Sequence, residues 1–293
     1  MPRAHANGVD LEWEEFGNPD DPPLLLIMGL GAQMVAWDDE FCRLVAARGF
    51  RVVRFDNRDT GLSTKIDGGP APNVLGAITG DMSSASYTLA DMADDTAGLL
   101  DALGITAAHV VGASMGGMIA QTLAIRHPDK VQTLTSIMST TGALDVGQPD
   151  PAAVALLLTP PPVDRAGFIE HSVGASRVLA SPGFPFDEER ARQRGALSYD
   201  RCFYPAGVAR QLLASLASGD RTPALRSLQV PTLVIHGDRD PLVTPSGGRA
   251  TAAAIPGARL LVVPGMGHDI PREAWETIAD AIVELAATTR QPV

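Results

Sequence analysis

The chain alternates short apolar runs with longer stretches in which apolar residues recur every three or four positions. Residues 9–16, VDLEWEEF, switch between apolar and charged side chains with the period of two that a half-buried strand requires. Six further runs are short, apolar and mostly β-branched or leucine-rich: 23–28, 51–55, 108–112, 131–137, 231–237 and 258–263. Such runs suit strands covered on both faces, the condition of a parallel sheet. Helical patterns fill the gaps at 37–48, 89–103, 115–127, 246–255 and 271–287. Thr88 opens the second as an N-cap, with Asp91 three residues on as a short variant of the capping box. Pro271 falls in the first turn of the last helix, where its missing N–H is harmless. This alternation predicts a doubly wound, mostly parallel α/β sheet with right-handed crossovers, and any site should lie beyond the carboxyl ends of the strands.

The alternation stops near residue 139 and resumes near 225. The interval is rich in proline (TPPPVD, SPGFPF) and aromatic residues, and it carries helix-like pieces in place of strands. The expected organisation is therefore an α/β core over 1–138 and 226–293, with 139–225 inserted as a helical cap across the carboxyl edge of the sheet.

Composition narrows the partners. The 293 residues carry 23 basic and 34 acidic side chains, a net charge of −11 with no concentrated basic patch. That argues against nucleic acid or an anionic membrane as partner. Residues 107–125 form a run without formal charge that is long enough to suggest a membrane span. Its His109, Ser114, Gln121 and glycines favour a buried strand followed by a buried helix instead. Cys42 and Cys202 have no metal-ligand or redox spacing, and the N-terminus lacks the apolar core of a signal peptide. The expectation is a cytoplasmic protein with free thiols, monomeric or homodimeric, without metal or organic cofactor.

Residues 110–121, VVGASMGGMIAQ, place Gly112, Ser114, Gly116 and Gly117 at the junction of a strand pattern and a helix pattern. Glycine weakens either element, so its presence points to a tight turn carrying a serine at its apex. A serine hydroxyl attacks a carbonyl only when a neighbouring base takes its proton. That base is commonly a histidine held in one tautomer by a carboxylate. The chain supplies these residue types in the order Ser, acid, His, each after a strand run: Ser114, then Asp238 or Asp240, then His268. Of the six histidines, His268 alone has a glycine-flanked loop position. His127 suits a helix end, His236 a packing or hydrogen-bonding role, and His5, His109 and His171 lack partner motifs.

With these motifs the chain resembles the α/β-hydrolase family from about residue 9 to 287. FDNRDTGLS (55–63) is similar to the family's D-x-R-x-x-G-x-S turn, GASMGG to its nucleophile elbow, HGDRDPLV to its acid loop and GMGH to its histidine loop. MGLG (28–31) stands where most members carry His-Gly, and with RDTGLS and PGMGH it makes the chain look most like the aclacinomycin methylesterase branch of actinobacterial hydrolases. The resemblance implies that Asp240, ahead of Pro241-Leu242-Val243, is the triad acid, leaving Asp238 to cap its loop through its own backbone. It implies an oxyanion hole made of the backbone N–H groups of Leu30 and Met115. Since only the N–H is used, the change from His to Met28 should spare the oxyanion hole and affect mainly loop bracing. It also implies that Asp56 and Arg58 hold a turn and take no part in chemistry. Candidate pocket residues are Gly29, Trp37, Met118, Phe184 and Tyr204.

The expected activity is hydrolysis of a lipophilic, uncharged carboxylic ester through an acyl-enzyme. Rivals on the same fold are a cofactor-free perhydrolase of haloperoxidase type, a lactonase and a C–C bond hydrolase. Outside catalysis, the rival is a binding protein on a hydrolase scaffold, which the retention of all three triad residues disfavours.

Overall fold

Leu24 to Ile27 show how the sequence builds a two-faced sheet in the computed structural model, which describes residues 2–289. Leu25 and Ile27 point into one core cluster, and Leu24 and Leu26 into the other. All four are essentially inaccessible to solvent. Burying a side chain of this size contributes about 1.5–3 kcal/mol, so one short strand ties both halves of the core together.

The strands are β1 (Arg3–Ala6), β2 (Val9–Phe16), β3 (Pro23–Ile27), β4 (Arg51–Phe55), β5 (Ala108–Ala113), β6 (Val131–Ile137), β7 (Thr232–Gly237) and β8 (Arg259–Val263). They form one sheet in the order β1-β2-β4-β3-β5-β6-β7-β8. β1 and β2 are antiparallel to each other and β2 is antiparallel to β4, while all pairs from β4 to β8 are parallel. The helices are α1 (Asp39–Ala46), α2 (Val74–Ile78), α3 (Leu89–Ala102), α4 (Met115–Arg126), α5 (Pro151–Leu158), α6 (Arg165–Leu179), α7 (Glu188–Arg201), α8 (Pro205–Ala217), α9 (Thr222–Leu225), α10 (Pro245–Ala254) and α11 (Trp275–Ala287). α3, α4 and α10 cover the face that holds Leu25; α1 and α11 cover the other with Phe41, Val45, Ile278 and Ile282.

Several local expectations change. β1 is an additional strand whose RAHA sequence is too short and polar to announce itself. Its signal is Asn7-Gly8, a two-residue hairpin turn with both φ values positive (48° and 78°), as a type I′ turn demands. α2 is a further short helix, capped by the Asn73 side chain on the Gly76 N–H. β8 is not covered on both faces. Leu261 and Val263 pack into the core, whereas Leu260 and Val262 remain 39% and 37% exposed on the outermost strand. Thr88 and Asp91 do form the capping box. Pro271 stands just ahead of a 3-10 turn, Arg272–Ala274, that leads into α11.

The uncharged run 107–125 divides at Ser114 into β5 and α4. Among the described residues no helix is long and apolar enough to cross a membrane. Cys42 and Cys202 are free, and burial pushes the Cys42 thiol up to about 12.

Between β6 and β7 the described residues hold five helices, α5 to α9, and no strand. This segment is pinned to the β4 turn by buried ion pairs. Arg201 Nη2 lies 3.1 Å from Asp56 Oδ2, and Arg210 meets Asp59 through bonds of 2.9 and 3.0 Å. Asp56 and Arg58 do not pair with each other. Asp56 accepts from the Met34 N–H (2.7 Å) and the Leu62 N–H (2.9 Å), and Arg58 grips Asp95 with two bonds of 2.6 and 2.5 Å. Both residues spend their charge on structure.

Candidate active site

The glycines around Ser114 are explained by close approach. A Cβ on Gly112 would lie 2.1 Å from the Gly116 carbonyl oxygen, and one on Gly116 would lie 2.1 Å from the Ile27 oxygen. Gly117 faces the Ser139 side chain at 2.6 Å from the same hypothetical atom. Only with all three bare can β5 reverse into α4 within one residue. Ser114 takes the strained position itself, with φ 57° and ψ −123°, a conformation that costs an L-residue of order 1–3 kcal/mol and persists only under tight surroundings.

Ser114 follows β5, Asp240 follows β7 and His268 follows β8, so the three arrive at the carboxyl edge of the sheet from separate strands. His268 Nε2 lies 3.0 Å from Ser114 Oγ, and His268 Nδ1 lies 2.8 Å from Asp240 Oδ2. An ionised carboxylate only accepts, so Nδ1 carries the proton and Nε2 is left as acceptor for the serine hydroxyl. Asp240 Oδ1 accepts from the Leu242 and Val243 N–H groups at 2.9 Å each. His236 Nε2 approaches Oδ2 at 3.4 Å while donating to the Val243 carbonyl at 2.7 Å. Burial works to raise the Asp240 carboxyl, but the hydrogen bonds and charge of His236 and His268 outweigh it and hold it at about 2. The acid is thus ionised throughout the neutral range.

Asp238 behaves differently from expectation. Its carboxylate does not cap its own loop; Oδ1 accepts from the Gly265 N–H at 2.6 Å and ties the acid loop to the histidine loop. Asp240 makes the local turn bonds instead, because its side chain points back over Leu242 and Val243. The histidine loop is also latched by the α6–α7 connection. The His268 N–H donates to Leu179 O (2.8 Å) and the Gly267 N–H to Ser181 Oγ (2.8 Å). Leu179 and Ser181 carry no motif, and nothing in the sequence marked them.

Gly29 lies against the nucleophile. A Cβ there would stand 2.9 Å from Ser114 Cβ and 3.1 Å from Ala113 O. Met115 is the first residue of α4, where an N–H has no intrahelical partner. Leu30 is half-buried between Gly29 and Gly31, and among the described residues its N–H donates to no backbone carbonyl. Both N–H groups are therefore free to meet a ligand.

A cavity of about 640 Å³ opens beside His268, with Met28, Trp37, Met138, Phe184 and Trp275 on its wall. Trp37 is also a core residue, stacked on Phe41 with ring centroids 5.8 Å apart. Met118 is not among the residues lining this cavity and packs against the β3–α4 core. Tyr204 lines a smaller cavity of about 230 Å³, where its hydroxyl accepts from Arg210 (2.6 Å) and lies 3.2 Å from Asp67. Those two candidates thus lie outside the lining of the His268 cavity, as does Gly29. Of the remaining histidines, His5 meets Asp10, His127 meets Asp94 and His109 meets Thr133.

Comparison with known proteins agrees with this fold. A family model described as the alpha/beta hydrolase fold matches residues 22–273. The chain is similar to rhodomycin D methylesterase DauP of Streptomyces sp. (strain C5), with 32% identity covering 94% of each chain. It is similarly related to rhodomycin D methylesterase DnrP of Streptomyces peucetius, with 31% identity over the same share of each. Among solved structures, the meta-cleavage product hydrolase CumD of Pseudomonas fluorescens IP01 superposes with a TM-score of 0.79 at 21% identity, covering 99% of this chain and 98% of the other.

Proposed function

The chain belongs to the alpha/beta hydrolase fold family, and on that premise we propose that it is a serine carboxylesterase working through an acyl-enzyme. The observation that carries the reading is His268 standing between Ser114 and Asp240 at 3.0 and 2.8 Å. In this reading Ser114 Oγ attacks the ester carbonyl as His268 Nε2 takes its proton, and Asp240 stabilises the imidazolium. The N–H groups of Leu30 and Met115 receive the oxyanion, each donor lowering the barrier by about 3–4 kcal/mol. His268 then returns the proton to the departing alcohol. Water, activated by the same imidazole, attacks the acyl carbonyl and releases the acid.

Residues 139–225 are read here as a cap over the site. The cavity's volume lies within the range of small-molecule pockets, about 300–1,000 Å³, and its wall at Met28, Trp37, Met138, Phe184 and Trp275 suits a lipophilic, uncharged acyl group. Charged side chains also reach it: Asp38 and Arg190 form an ion pair with each other, while Asp187, Glu188, Arg194, Asp269, Arg272 and Glu273 line the rest, so the apolar residues make up one wall of a mixed cavity. The names of the two methylesterase relatives make a methyl ester the first leaving group to try.

A substrate panel tests this directly. p-Nitrophenyl esters of graded chain length, methyl esters of the same acids, a lactone, and acetate with hydrogen peroxide are compared under one set of conditions. The expected result is ester hydrolysis with kcat/KM of order 10⁴ M⁻¹s⁻¹ or more for the best ester, with peracid formation and lactone opening far slower. If either of the latter outruns ester hydrolysis, the chemistry belongs to that rival.

A further inference from the structure

We infer that Gln211, supplied by α8, is the positioning residue that aims the Leu30 N–H at the oxyanion; the inference rests on the esterase reading above. Gln211 is fully buried and all of its hydrogen-bonding groups point at the core. Its Oε1 accepts from the Gly31 N–H at 2.8 Å, and its Nε2 donates to the Arg58 carbonyl at 2.8 Å and to Thr60 Oγ1 at 2.6 Å. A carbonyl can only accept, so the Arg58 contact fixes which end of the amide carries the N–H groups. The oxygen is then obliged to face Gly31.

Gly31 N belongs to the peptide that follows Leu30, so holding that N–H restrains the orientation of Leu30 and of the peptide before it. Gly31 itself sits at φ +64°. A Cβ on Gly31 would come within 2.9 Å of Val208, one turn before Gln211 on the same face of α8. The loop is thus clamped by packing and by hydrogen bonding from a single helix. The other brace acts at the opposite end, where Asn57 Nδ2 donates to Met28 O at 2.9 Å. With Met28 offering the loop no hydrogen bond from its side chain, bracing passes to a residue about 180 positions away in the chain. An oxyanion donor must lie about 2.7–3.1 Å from the charge that develops, so a loosened loop weakens the transition state more than it weakens substrate binding.

The test compares wild type with Gln211→Met and Gln211→Glu. Competent sites are first counted by titration with a fluorophosphonate, so that misfolded protein drops out of the comparison. Per titrated site, Gln211→Met is expected to lose about 10²-fold in kcat, the effect of one oxyanion donor, with KM within threefold. Affinity for a trifluoromethyl ketone should fall by the same factor as kcat. Gln211→Glu, held protonated by its full burial, keeps an acceptor for the Gly31 N–H and an O–H donor for the Arg58 carbonyl, and should recover at least tenfold of that loss. A kcat per titrated site within threefold of wild type for Gln211→Met, or equal kcat for the two variants, overturns the inference. Wild-type protein that neither titrates nor hydrolyses esters would instead end the esterase reading, and this inference with it.

Discussion

Ser114→Ala is expected to lower ester turnover by about 10⁶-fold while leaving the fold intact. The magnitude follows from how a triad acts: removing the nucleophile of such a unit costs about as much as removing all three members. What rate remains comes from the oxyanion donors and from binding. The substitution removes only Oγ, which lies in the hydrogen bond to His268 at 3.0 Å. Alanine still has to occupy φ 57°, so backbone strain is unchanged by the loss of the hydroxyl. Steady-state hydrolysis of the best p-nitrophenyl ester, with a melting curve on the same preparation, checks both halves. Turnover near the wild-type value would remove Ser114 from the reaction.

Asp240→Asn and Asp238→Asn should differ by three orders of magnitude or more. Asn at 240 presents an amide whose NH₂ competes with the His268 Nδ1–H, so the imidazole is driven toward the tautomer that cannot accept from Ser114. In a serine protease, the corresponding change costs about 10⁴ in kcat with geometry intact. Asp238 instead accepts from the Gly265 N–H at 2.6 Å. An asparagine can accept there through its carbonyl oxygen, so Asp238→Asn should keep kcat within about tenfold. Parallel kcat measurements on the two variants separate the roles. Equal losses would mean that the acid loop works as a unit and that Asp240 has no special place.

The hydrogen-bonded line of Ser114, His268 and Asp240 was legible in the sequence because its information is local: a glycine-rich elbow after one strand, and an acid and a histidine after two others. Between Asp238 and Asp240 the residues alone left the choice open and the resemblance to the family's acid loop decided it; in the structure Asp240 is the one whose other oxygen meets the Leu242 and Val243 N–H groups. Strands buried on both faces announced themselves as apolar runs, whereas β1 escaped because its stability comes from pairing with β2 rather than from its own composition. The pocket was less legible. Trp37 and Phe184 reach the cavity but Gly29, Met118 and Tyr204 do not, and the difference depends on tertiary packing that no local pattern encodes. Gln211 shows the same limit from the other side. One glutamine among alanines and leucines in QLLASLA carries no signal until α8 is laid against the loop that follows β3.

The central claim is that folding turns the hydroxyl of Ser114 into a nucleophile. The most direct measurement is to treat the protein with a fluorophosphonate and locate the adduct by mass spectrometry of its peptides. One adduct per chain, on Ser114, abolished by Ser114→Ala and strongly slowed by His268→Gln, is the predicted result. No adduct, or one that His268→Gln leaves equally fast, would contradict it.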